Sequence, residues 1–134
     1  MIKILGLVGL VVLLAGLFYV RLAPNDPDKW HTAIQSDVDR DLPGGAVRVM
    51  AAEPDTLTRA DVYMRSLPRT HVIAGSVDTG RITYITRSAV FGFPDYTTVE
   101  YQNGQLRAFA RLRFGRSDLG VNSERLQGLR AALE

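Results

Sequence analysis

The chain has no cysteine, two histidines and two lysines among its 134 residues. Without cysteine there is no disulfide, no thiolate metal centre and no lipid-modified cysteine of the bacterial lipoprotein kind. His31 and His71 lie in different segments, so no pair of imidazoles stands at a metal-ligand spacing. They also leave few bases to activate a nucleophile. Gly115-Arg116-Ser117-Asp118-Leu119-Gly120 lies where a strand gives way to a helix, the place of a nucleophile elbow. That elbow needs glycine two residues on each side of the serine, and Leu119 takes the second place. Asp37-Val38-Asp39-Arg40-Asp41 alternates carboxylates as a calcium loop does, but Leu42 stands at the turn glycine and Arg48 at the bidentate glutamate. It reads as a solvated acidic segment. Internal repeats and low-complexity runs are missing too. These absences predict no catalytic set, no metal and no cofactor.

Lysine is so scarce that arginine supplies nearly all the positive charge, favouring planar, forked contacts to carboxylate or phosphate. The formal net charge of +2 hides an asymmetry. From Arg21 to Thr56 acids exceed bases by three, whereas from Leu57 to Glu134 bases exceed acids by four. So small an excess argues against nucleic acid as a partner.

What is present begins with Ile4 to Val20, a run without a charge flanked by Lys3 and Arg21. It falls just within the roughly 17–25 residues that cross a bilayer. A cleaved signal peptide fits poorly, because Leu14-Ala15-Gly16 and Arg21-Leu22-Ala23 both put an unsuitable residue three before the cut. The run predicts a single-pass anchor over residues 1–22 that contacts the membrane through Ile4 to Val20. The short N-terminal tail, with Asp26 and Asp28 beyond the run, favours a cytoplasmic tail. The expected location is the inner (cytoplasmic) membrane, with the globular part extracytoplasmic, periplasmic in a Gram-negative bacterium.

Residues 23–45 predict a linker, with Pro24, Pro27, Pro43 and Gly44-Gly45 breaking any helix and Asp supplying charge. Trp30-His31 suits either an interfacial aromatic position or packing on the domain. Residues 46–134 then predict an α+β domain. Ala46–Met50 alternates as a strand, and Pro54-Asp55-Thr56 opens a helix with Leu57, Ala60, Met64 and Leu67 on one stripe. His71–Val77 and Arg81–Phe91 follow as strands, and neither face of that pair is marked as the buried one. Asn103-Gly104 is the preferred type I′ pair, joining Asp95–Gln102 to Gln105–Phe114. That turn sets Tyr101 opposite Leu106, Glu100 opposite Arg107, Val99 opposite Ala108 and Tyr96 opposite Arg111. Asn122 or Ser123 is expected to cap a final helix to Leu133. The predicted architecture is an N-terminal transmembrane helix, then an antiparallel sheet of four or five strands with two helices packed on one face.

Three runs carry a resemblance: Thr83-Tyr84-Ile85-Thr86-Arg87-Ser88, Phe91-Gly92-Phe93-Pro94-Asp95-Tyr96 and Arg111-Leu112-Arg113-Phe114-Gly115-Arg116-Ser117-Asp118-Leu119-Gly120-Val121-Asn122. They resemble the uncharacterised family catalogued as domain of unknown function 1499, over roughly Ala46 to Leu133. The Gly-Arg-Ser-Asp-Leu-Gly-Val-Asn run is the most specific part. The family name implies no activity.

In the predicted hairpin, Arg107, Phe109, Arg111 and Arg113 share the face opposite the core with Tyr96 and Thr98. The candidate ligand site is therefore Arg87, Arg111, Arg113, Arg116, Ser117, Asp118 and Asn122, with helix N–H groups adding positive potential. It would make the domain a non-enzymatic, membrane-tethered binding or accessory module. Its partner would be an anionic small molecule, a lipid headgroup or a membrane protein. Two other readings are a structural subunit of a membrane complex and a small acid–base hydrolase or isomerase using Asp95 or Asp118. A purely structural role for the loop, with Asp118 paired to arginine at the strand-to-helix corner, competes with all of these.

Overall fold

The computed structural model describes residues 1–134, and its first element is the apolar helix α1 (Ile2–Leu22), none of whose residues is buried. It is long and apolar enough to cross a membrane. A one-turn helix α2 (Pro27–Trp30) follows, then β1 (Arg40–Leu42), β2 (Gly45–Ala51), α3 (Thr56–Ser66), β3 (Thr70–Ser76) and β4 (Arg81–Arg87). The chain ends with β5 (Pro94–Gln102), β6 (Gln105–Leu112) and α4 (Val121–Leu133). The fold is α+β, with a six-stranded antiparallel sheet in the order β1-β2-β6-β5-β4-β3.

Turn chemistry sets the centre of the sheet. Asn103 and Gly104 both take positive φ, at 53° and 76°, as a type I′ turn requires. The β5–β6 register pairs Tyr101 with Leu106, Glu100 with Arg107, Val99 with Ala108 and Tyr96 with Arg111. Side-chain alternation then sends Leu106, Ala108 and Ala110 to one face, where Ala46, Ile82, Tyr84 and Val99 join them. Helices α3 and α4 cover that face with Leu57, Ala60, Met64, Leu126 and Leu129. The small residues Ala46, Ala108 and Ala110 leave room for helix to lie close on strand. Tyr84 keeps its polar end satisfied by donating to the Asp61 carboxylate at 2.7 Å. Burial and that bond push its ionisation well above the usual tyrosine range.

Three expectations need correction. The sheet has six strands, not four or five, because β1 pairs with β2 through Arg40↔Val47, Asp41↔Ala46 and Leu42↔Gly45. All three β1 residues are exposed, so no apolar alternation marked the strand. β4 stops at Arg87 instead of running to Phe91, since Ser88 closes a turn. Its N–H donates to the Phe93 carbonyl at 3.0 Å and its hydroxyl accepts from the Phe93 N–H at 2.9 Å.

The third correction concerns residues 23–45. They form no free spacer: residues 23–38 cross the second face of the sheet as a strap, with Ala23 and Ile34 buried. Both faces of the central strands are consequently covered. That is why Ile82 and Tyr84 on one side of β4, and Ile85 on the other, are all buried.

Candidate functional site

The arginine stripe of the second face is real, but the strap uses it. Arg111 donates to the Trp30 carbonyl at 2.5 Å and to Thr98 Oγ1 at 2.9 Å. Its guanidinium lies 5.6 Å from the Trp30 ring centre and 4.6 Å from that of Phe109. Burial pulls its pKa down to about 10, which still leaves it charged at neutral pH. Arg113 donates to the Pro24 carbonyl at 2.8 Å and to the Tyr96 hydroxyl at 2.9 Å. Tyr96 in turn donates to Asn25 Oδ1 at 2.6 Å, and its ring stacks on Trp30 at 4.1 Å. Further along, the buried Glu100 accepts from the Ile34 N–H at 3.2 Å and from Arg81 at 2.7 Å. Arg107 holds Asp37 at 2.7 Å. Arg111 and Arg113 thus fasten the strap across this face of the sheet.

The Gly115–Asn122 loop is likewise committed to structure. Asp118 accepts the Gly120 N–H at 2.9 Å on Oδ1 and the Asn122 N–H at 3.1 Å on Oδ2. Its own N–H donates to the Pro43 carbonyl at 3.0 Å. The N-cap of α4 is Gly120, not Asn122 or Ser123, and Asp118, two residues before it, takes up the Asn122 N–H that the helix start leaves free. Asn122 is fully buried and accepts from Arg125, which also approaches Asp95 Oδ2 at 3.4 Å. Burial raises the Asp95 pKa, with Arg125 opposing the shift. Arg116 and Ser117 are exposed on the loop.

Ser117 and Asp118 line an opening of about 390 Å³ with Ser88, Phe93 and Asp95, and Arg87 lands in a second cleft. At the foot of α1, Arg21, Arg69 and Arg87 line an opening of about 330 Å³ together with His71 and Ser88. The backbone builds it. Arg69 follows Pro68, takes a φ of 53° and pairs its carbonyl with the Arg87 N–H at 3.0 Å. The Arg69 Nε–H returns a bond to the Arg87 carbonyl at 2.9 Å. Arg87 reaches the Gly92 carbonyl at 2.9 Å and that of Val20 at 3.3 Å. Arg21 lies over the 88–93 turn, donating to the carbonyls of Val90 at 2.9 Å and Phe91 at 3.3 Å. Gly92 makes this overlay feasible: its φ is 72°, and a Cβ would meet Arg21 at 3.2 Å.

None of these three guanidiniums has a carboxylate within salt-bridge distance, whereas Arg48, Arg59, Arg65, Arg81, Arg107, Arg125 and Arg130 all do. Each guanidinium carries five N–H donors, and the carbonyl bonds above consume only one or two. Both terminal nitrogens of Arg69, Nη1 of Arg21 and Nη2 of Arg87 keep all their donors unspent. Such a set can grip phosphate or carboxylate oxygens by forked bonds. Sequence reading placed Arg87 in the site but missed Arg21, taken only as the flank of the apolar run, and Arg69. The available signal was their position: each stands beside a segment boundary, Arg21 at the end of the apolar run and Arg69 after Pro68.

The family model described as "Protein of unknown function (DUF1499)" matches residues 20–133. No curated protein matches the chain. With most of its length covered, the chain belongs to this family. The match begins at residue 20 rather than near Ala46, so it takes in Arg21 and the whole strap. The matched unit coincides with the packed one.

Proposed function

We propose that this protein is a membrane-tethered, non-enzymatic module that binds an anionic group at the bilayer surface through Arg21, Arg69 and Arg87. The observation that carries the reading is three guanidiniums without a carboxylate around one cleft, at the foot of a helix long enough to span a bilayer. In this reading α1 is an uncleaved single-pass anchor. Its last turn is fastened to the domain by Arg87 on the Val20 carbonyl, Arg21 on the 88–93 turn and Tyr19 against Phe114 at 6.0 Å. A severed helix would forfeit those contacts. The domain stands outside the cytoplasm, with the arginines at headgroup depth, where their stems lie along apolar surface and their heads stay in the polar layer. Against an acid–base role for Asp118, both its carboxylate oxygens accept from backbone N–H groups.

Native mass spectrometry of the full-length protein in neutral detergent doped with phosphatidylglycerol tests the site. Wild type should retain the anionic lipid, and Arg69→Ala should weaken retention by about 10- to 100-fold, as expected for lost charge-assisted bonds. Arg116→Ala, outside the cleft, should leave retention unchanged. Equal retention by wild type and Arg69→Ala would remove the basis of the reading.

A further inference from the structure

We infer that the ligand of this cleft is a whole phospholipid, its phosphate on the three arginines and one acyl chain in an adjoining apolar slot. This deepens the anion-binding reading and rests on it. The slot, also about 330 Å³, runs between α1 and the 88–93 turn and is lined by Leu14, Leu17, Phe18, Leu22, Val90 and Phe91. Arg21 is the one polar residue on its wall, and Arg21 also lines the arginine cleft. The two openings therefore share one residue, Arg21, with cationic lining in the first and hydrocarbon lining in the second. A free anion such as inorganic phosphate would fill the first and leave the second empty.

Depth supports the same occupant. From Leu22 back to Leu14 the helix climbs about 12 Å at 1.5 Å per residue. Val90 and Phe91 line the slot with Leu14, Leu17 and Phe18, so their side chains border the hydrocarbon if α1 spans a bilayer, while their carbonyls stay at the depth of Arg21. Both are exposed, Val90 at 73% and Phe91 at 52%, an arrangement that costs stability in water and none in lipid. The turn holds them there by the Ser88–Phe93 bonds and by Arg21 on their carbonyls. The slot volume lies within the range of ~300–1,000 Å³ usual for ligand sites.

The test uses the full-length protein in neutral nanodiscs containing phosphatidylglycerol whose acyl chain carries a photoactivatable diazirine, with peptide mapping of the crosslinks. The expected result is labelling concentrated on Leu14–Leu22 and on the Val90–Phe91 turn, reduced at least tenfold by Arg69→Ala and by Phe91→Ser. The same diazirine chain on a zwitterionic headgroup should label at background. Uniform labelling along α1 that ignores Arg69→Ala would overturn the inference, because it would show bulk lipid only. If soluble glycerol phosphate binds as tightly as the lipid, loses affinity in Arg69→Ala and ignores Phe91→Ser, the acyl slot is refuted while the anion site stands. Failure of both glycerol phosphate and phosphatidylglycerol to bind refutes the two readings together.

Discussion

The two faces of the sheet carry equally regular alternation and are covered by different means. On the helix face, Ala46, Val99, Leu106, Ala108 and Ala110 meet Leu57, Met64, Leu126 and Leu129, an apolar contact that needs shape and little direction. On the strap face, Arg111, Arg113, Tyr96, Thr98 and Glu100 meet carbonyls, an amide and an N–H of residues 24–34. Here the fit is directional, since each buried polar group must find its partner or cost stability. The comparison explains why charged residues on a strand do not by themselves mark a binding surface. A second comparison sits inside the arginines: Arg111 and Arg113 bond the strap carbonyls of Trp30 and Pro24, whereas Arg21, Arg69 and Arg87 bond only carbonyls around their own cleft.

The helix face should break hardest. Leu57 is 2% exposed in the middle of the core. Leu57→Ala removes its buried carbons and leaves a cavity, and should cost about 2–5 kcal/mol. Chemical denaturation followed by circular dichroism would show it as a lower midpoint. A loss under about 1 kcal/mol would mean the core beneath α3 closes freely over the gap.

How far the sequence disclosed this molecule follows the same division. Alternation, the Asn103-Gly104 turn and the Leu57-Ala60-Met64 stripe revealed the strands and helices that build the helix-covered core, along with the β5–β6 register. Alternation reports which side chains share a face but not what lies above them. The apolar signal in the strap is thin, with Ala23, Trp30 and Ile34 scattered among Pro, Asn and Asp. Its attachment depends on carbonyls that any residue offers, so pattern could not show it. Arg21, Arg69 and Arg87 come from three separate segments, and only the turn geometry at Pro68 and Gly92 brings them together.

The strap face should give way more gently and more locally. Arg111→Met keeps the stem's bulk and removes the donors to the Trp30 carbonyl and Thr98. The expected loss is about 1–3 kcal/mol. Trp30 is the sole tryptophan, so its fluorescence reports the strap alone. In Arg111→Met that signal should change at lower denaturant than the helical dichroism does. Coincident transitions would mean that strap and sheet unfold as one unit, and that the two faces differ in chemistry but not in cooperativity.

The smallest expected effect is a pH dependence confined to the strap face. His31 Nδ1 sits 2.9 Å from Thr83 Oγ1, which is itself 2.9 Å from Thr98 Oγ1. Gly75, with a φ of 81°, lets the imidazole settle there: a Cβ would come within 2.7 Å of its Cε1. Burial lowers the His31 pKa below 6.5 and the nearby Arg81 lowers it further, with Glu100 pulling the other way. A neutral ring can accept or donate at Nδ1, whereas a protonated ring can only donate, beside a cation. The unfolded chain, with His31 near 6.5, binds its proton at higher pH than the folded chain does. The strap's stability is therefore complete above about pH 6.5 and falls as pH drops through the lower folded value. Asp95 works in the opposite sense, because its raised pKa favours the folded state as pH falls, and it lies on the helix face. Trp30 fluorescence between pH 7 and 5 should register loosening of the strap in wild type and a flatter profile in His31→Gln. Identical profiles in the two proteins would assign the change to another group and leave His31 a packing residue.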